Sequence, residues 1–183
     1  LASVEISNNG NVGIYAFNGC TSLNSATISN NGDIGERAFS GCTTLASVEI
    51  SNNGNVGIYA FNSCTSLNSA TISNNGYIGD YAFSDCSSLI TATLGDSIAS
   101  IGASAFYGCS KLSEIVIPDA VTAIGSNVFR NCTSLETVTI GNQVTDISAS
   151  MFAGCTMLKT INLGANPILK SIGEDAFAST ALT

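Results

Sequence analysis

Every phenylalanine and every cysteine in this chain falls in one of two columns of a single internal repeat. Phe17, Phe39, Phe61 and Phe83 recur every 22 residues, and Phe106, Phe129, Phe152 and Phe177 follow at 23, 23, 23 and 25. Cysteine comes three residues after each of the first seven, at Cys20, Cys42, Cys64, Cys86, Cys109, Cys132 and Cys155. Leu1, Leu23, Leu45, Leu67, Leu89, Leu112, Leu135 and Leu158 open the eight units. A period in the low twenties excludes an ordinary globular layout. One such unit cannot bury its own apolar side, so it stacks on its neighbours as one coil of a solenoid.

Each unit begins Leu-x-x-φ-x-φ, with φ apolar, as in Leu1/Val4/Ile6, Leu45/Val48/Ile50, Leu112/Ile115/Ile117 and Leu135/Val138/Ile140. Alternation at the fourth to sixth positions predicts a short strand with one buried face. A second apolar cluster follows at Val12-Gly13, Ile34-Gly35, Ile101-Gly102 or Ile124-Gly125, then Ala-Phe, two small residues and Cys. Ala16, Phe17, Cys20 and Leu23 lie at spacings of one, three and three, which predicts a short helical turn with an inward face. The glycine recurs in seven of the eight units and gives way to Ser148 in the other. Lacking a Cβ, it is expected to supply a tight or left-handed corner.

Unit length follows from the connection. Units one to four carry Ser-Asn-Asn-Gly after the strand, as in Ser7-Asn8-Asn9-Gly10, and Asn-Gly predicts a tight turn because both residues tolerate positive φ. Units five to seven use one residue more and gain an inward candidate at Ile98, Val121 and Val144. Units one and three differ only at Gly19 and Ser63, which marks the first 88 residues as a duplicated two-unit block.

Read as Leu-x-x-Val-x-Ile-x-x-Asn, with Asn9, Asn31, Asn53 and Asn75 closing the motif, the opening segment matches the leucine-rich-repeat signature. Units five to seven resemble the BspA-like, or Treponema-type, repeat Ile-Pro-x-x-Val-Thr-x-Ile-Gly-x-x-Ala-Phe-x-x-Cys-x-x-Leu, as Ile117, Pro118, Val121, Thr122, Ile124, Gly125, Phe129 and Cys132 show. The resemblance covers the whole chain, although the first four units replace Pro-x-x-Val-Thr by Ser-Asn-Asn-Gly. It implies an α/β class fold: a right-handed leucine-rich-repeat solenoid with a parallel sheet on its concave face and short helical turns opposite. It also implies a secreted or surface-displayed protein of a host-associated microbe, attaching to host extracellular matrix. The family brings no shared catalytic residues. The expected organisation is one array over 1–183, with 22-residue units in 1–88, 23-residue units in 89–157 and a longer terminal unit in 158–183. With neither end reading as a cap, the chain is expected to be a segment of a larger protein and prone to end-to-end self-association.

Composition narrows the chemistry. A net charge of −8 argues against nucleic-acid partners, which need basic patches. No apolar run approaches the roughly 18 residues of a membrane helix, so no insertion is expected. The chain has no histidine, the commonest general base and metal ligand. With no Cys-x-x-Cys pair either, the expectation is no enzyme, no cofactor and no metal site. Stacked cysteines about 4.8 Å apart with parallel Cα–Cβ vectors do not suit a disulfide, whose Cβ atoms converge to about 3.8 Å. A buried free-thiol ladder follows.

The candidate binding surface is the outward strand positions. Glu5, Thr27, Glu49, Thr71, Thr93, Glu114, Val116, Thr139 and Asn162 form a hydroxyl-rich, mildly acidic face with no aromatic anchor. Tyr15, Tyr59 and Tyr81 share the position before Ala-Phe, where they read as covers for the coil beneath, with an edge binding strip as the alternative. The functional expectation is an extracellular or cell-surface binding module that adheres to protein or glycan through its sheet face. The alternative is a structural spacer in a larger surface protein.

Overall fold

The computed structural model describes residues 2–7, 9–163 and 168–182. Its strands are β1 (Ser3–Ile6), β2 (Ser25–Ile28), β3 (Ser47–Ile50), β4 (Ser69–Ile72), β5 (Tyr77–Ile78), β6 (Thr91–Leu94), β7 (Ser100–Ile101), β8 (Glu114–Val116), β9 (Ala123–Ile124), β10 (Thr137–Ile140), β11 (Asp146–Ile147), β12 (Thr160–Leu163) and β13 (Ser171–Ile172). Every pairing is parallel and joins equivalent strands of adjacent coils. The result is a parallel β-solenoid of stacked coils.

Two lines of strands run along the stack. The main sheet has the order β1-β2-β3-β4-β6 and resumes as β8-β10-β12. A narrower second line begins as the bridges Val12–Ile34–Val56–Ile78, continues as β5-β7-β9 and resumes as β11-β13. Each line is interrupted once, and an unusual residue stands at each interruption. After the main strands, the N–H groups of Ser29, Ser51, Ser73 and Gly95 donate to the preceding coil's Ile6, Ile28, Ile50 and Ile72 carbonyls. Pro118 holds the next place in that column and has no N–H to give, and there β8 does not pair with β6.

The second interruption lies at Ser148. The N–H groups of Gly35, Gly57, Gly79, Gly102 and Gly125 donate to the preceding coil's Val or Ile carbonyl at 2.7–2.8 Å. None of these glycines has a left-handed φ, which corrects the expected corner. They are required by close approach: a Cβ at Gly57 would lie 2.5 Å from the Ile34 carbonyl oxygen, and one at Gly125 would lie 2.4 Å from the Ala103 nitrogen. Ser148 carries that Cβ. Its hydroxyl, rather than its N–H, takes the Ile124 carbonyl, and β11 does not join β9.

Among the described residues there is no α-helix, so the expected helical turns are replaced by a different ribbon. Alternate N–H groups serve different partners. Those of Ala16, Asn18 and Cys20 close turns within the coil, onto Gly13, Tyr15 and Phe17, whereas those of Tyr15, Phe17 and Gly19 reach the next coil's Glu36, Ala38 and Ser40 carbonyls. A helix would need all of them for itself. Two left-handed residues per coil make this possible: Tyr15 and Gly19 in the first, with φ of 57° and 68°. The inter-coil bonds continue along the stack to Phe152, which donates to Ala176.

The asparagines that close the motif lie on the surface. Asn31, Asn53 and Asn75 are exposed, each donating its Nδ2 to the Oδ1 one coil earlier at 2.7–2.8 Å. The residues before them, Asn30, Asn52 and Asn74, are the buried ones, and each donates to a glycine carbonyl of the preceding coil. Neither Asn nor Gly of the Asn-Gly pairs at 31–32, 53–54 and 75–76 adopts positive φ.

Between the two lines and the ribbon lies one apolar core. Phe39, Phe61, Phe83, Phe106, Phe129 and Phe152 are fully buried, and Phe17 and Phe177 close the column partly buried. Neighbouring rings stack at 4.9 to 5.6 Å. Buried phenylalanines of this kind typically carry about 3–5 kcal/mol each against alanine. Ile98, Val121 and Val144 are buried as expected.

Candidate functional site

Parallel register turns a repeat position into a row. Glu5, Thr27, Glu49, Thr71 and Thr93 are direct partners across β1-β2-β3-β4-β6. Beyond the interruption the row resumes as Val116, Thr139 and Asn162. Glu114 stands in the adjacent outward row, beside Thr137 and Thr160. All of these predicted residues are exposed except Thr139, which is half-buried. The structure therefore brings them onto one face, but the face is not the continuous sheet that the sequence suggests. Where β6 and β8 fail to pair, a cleft of about 170 Å³ opens among Thr93, Leu94, Glu114, Ile115 and Val116. Val116, 59% exposed, is its apolar projection.

The tyrosine row lies on the turn ribbon. Tyr59 and Tyr81 stack at 4.8 Å and 9° between planes. Arg37 extends the stack, with its guanidinium 4.4 Å from the Tyr59 ring centre and 5.9 Å from that of Tyr15, and it donates to the Tyr15 hydroxyl at 3.2 Å. Glu36 pairs with the same guanidinium. Arg37 was not singled out in the sequence, though it occupies the tyrosine position of unit two. The left-handed residues before each cysteine were missed too; Gly19, Gly41, Asp85, Gly108, Asn131 and Gly154 were the available signal.

The cysteines form a free-thiol ladder. Each Sγ from Cys42 to Cys155 donates to the carbonyl of the preceding coil's phenylalanine at 3.0–3.2 Å. Burial pushes the Cys42 and Cys155 thiols up to about 12, and Cys109 and Cys132 well above their ordinary value. Such thiols are poor nucleophiles and poor metal ligands.

A profile of the BspA type leucine-rich repeat region matches residues 1–87 and 76–183. The chain belongs to the BspA-type leucine-rich repeat family. Among solved structures of such repeats, a leucine-rich repeat protein of Treponema pallidum is 28% identical, with 94% of this chain and 73% of that one covered and a TM-score of 0.68. A leucine-rich cell surface protein of Faecalibacterium prausnitzii is 34% identical over 85% of this chain, at a TM-score of 0.57. The match spans only 36% of that protein's own length. A leucine-rich repeat protein of Bacteroides ovatus, 24% identical over 94% of this chain and 69% of that one, shares the fold at a TM-score of 0.51. A comparison with curated proteins gives no match. BspA-type coils thus supply a repeat module with long outward rows, a form that typically serves as a non-catalytic scaffold for interaction.

Proposed function

We propose that this chain is the binding module of a bacterial cell-surface protein and adheres to a protein or glycan ligand through the outward rows of its main sheet. The observation that carries the reading is the register: five coils place Glu5, Thr27, Glu49, Thr71 and Thr93 in one exposed row that ends at the Thr93–Val116 cleft. Its likeness to the cell surface protein of F. prausnitzii supports the location. No tryptophan, tyrosine or arginine anchors this face, and such anchors dominate tight interfaces. Affinity per copy is therefore low, and strength comes from array length and multivalency.

The test is the triple variant Thr71→Lys, Thr93→Lys, Val116→Lys, measured on immobilised fibronectin, laminin and collagen. Binding to at least one matrix protein is expected for the unchanged chain and is lost in the variant, while the melting temperature stays within a few degrees because all three side chains are exposed. Undiminished binding in the variant rejects the sheet face. Coils one and three, alike but for one residue, favour a second reading as a spacer lengthened by duplication, which predicts no binding from either protein.

A further inference from the structure

The residue two places before each phenylalanine has a left-handed φ, which small and Asn or Asp side chains tolerate better than bulky ones. The later coils follow that rule with Ser104, Asn127, Ser150 and Asp175. Tyr15, Tyr59 and Tyr81 do not, at φ of 57°, 54° and 55°. A large ring gives the backbone nothing there, so its contribution lies in its faces. Strained positions of this kind concentrate at functional sites.

Most of those faces are occupied within the stack that runs from Tyr15 through Arg37 and Tyr59 to Tyr81. At the next coil the row drops to Ser104, and among the described residues Tyr81 stacks on no ring but that of Tyr59. Three residues further along each coil, the neighbouring row changes the opposite way: Asn62 and Ser84 give way to Tyr107 and Arg130. Large side chains thus switch rows between the fourth and fifth coils. A notch of about 460 Å³ results, lined among others by Tyr81, Asp85, Ser104, Tyr107, Asn127 and Arg130. That volume falls within the range of small-ligand sites. Tyr81 is 37% exposed, and Asp85 and Arg130 are exposed. Arg130 spends one donor on the Asn127 Oδ1 at 3.3 Å and keeps the rest of its fork.

This donor and acceptor set is specific in kind. An aromatic face accepts the C–H side of a pyranose ring. A carboxylate, an amide and a guanidinium accept from and donate to vicinal hydroxyls in bidentate fashion. One Asp against one Arg leaves no net charge to select an ionic ligand, and the notch lacks the apolar anchors that hold a peptide. We infer that the Tyr81 notch is a site for neutral, equatorially hydroxylated oligosaccharides, separate from the main-sheet face.

The experiment is titration of the full chain with laminarihexaose, cellohexaose and chitohexaose. At least one binds in the millimolar range or tighter. Tyr81→Asn suits a left-handed corner, so it keeps the melting temperature within a few degrees and weakens binding at least tenfold. Tyr81→Phe, which retains the ring, stays within threefold, and Arg130→Ala loses several-fold. The lysine triple on the main sheet leaves sugar affinity unchanged, so failure of the sheet reading and failure of this one are distinguishable. The inference is overturned if none of the three sugars binds at millimolar concentration, if Tyr81→Asn binds normally, or if the lysine triple abolishes sugar binding. Should Tyr81→Asn melt much lower, the ring is a structural cover and Arg130→Ala decides: unchanged affinity there overturns the site.

Discussion

Ionising a thiol of the cysteine column would place a charge where neither water nor a cation compensates it. Burial is the leading cause that lifts Cys42 from an ordinary 9.0 to about 12, and it lifts Cys86, Cys109, Cys132 and Cys155 as well. The consequence for stability has a definite sign. Below pH 9 folded and unfolded chains carry the same thiol protons, so stability does not depend on them. Above pH 9 the unfolded chain releases protons that the folded chain keeps, and stability falls as pH rises towards 12, by up to about 1.4 kcal/mol per pH unit for each thiol. Denaturant melts between pH 6 and 11 are expected to show this late alkaline loss. Alkylation at pH 8 is expected to leave Cys64 to Cys132 unlabelled until denaturant is added. Rapid labelling of those residues in the native protein would contradict the ladder.

Strands were legible in the sequence and turns were not, for a physical reason. A period of two with one apolar face has few alternatives, and β1 to β4 fall where Val4/Ile6, Ile28, Val48/Ile50 and Ile72 place them. Spacings of one, three and three around Phe17 suit a helical turn and the observed ribbon equally well, because both present Phe17, Cys20 and Leu23 to one side. What separates them is the left-handed residue before each cysteine, and Ser63 hides that signal where Gly19 shows it. The candidate face was readable as alternation, but its interruption needed the inter-coil hydrogen bonds to be placed. Pro118→Ser tests that account at the level of the strand. The new N–H should bond to Leu94 as Ser73 bonds to Ile50, and join β8 to β6. One added hydrogen bond contributes about 0.5–1.5 kcal/mol, and losing proline's restraint on the unfolded chain costs about 0.4–1 kcal/mol. The melting temperature should therefore barely move while the amide at position 118 becomes protected from hydrogen exchange. An amide there that exchanges as fast as an exposed one would show that proline is not what parts the strands.

Across the whole stack, stability is a sum over coils and the junctions between them. The first five coils are joined by three uninterrupted sets of bonds: the main sheet, the second line and the turn ribbon. They add the asparagine rows of Asn30, Asn52 and Asn74 and of Asn31, Asn53 and Asn75. Their phenylalanine rings stack at 4.9 to 5.3 Å. Between coils five and six the main sheet lapses at Pro118, between coils six and seven the second line lapses at Ser148, and the rings there stand 5.6 Å apart. Each lapse removes backbone bonds worth about 0.5–1.5 kcal/mol apiece. Coil six is thus the weakest-coupled internal unit, and partial unfolding should begin with it and the coils that follow it. Hydrogen exchange read by mass spectrometry at rising denaturant should show peptides from 114–163 opening before those from 25–94. A single concerted opening of all coils would mean that the phenylalanine column and the turn ribbon, which cross both junctions unbroken, outweigh the missing bonds.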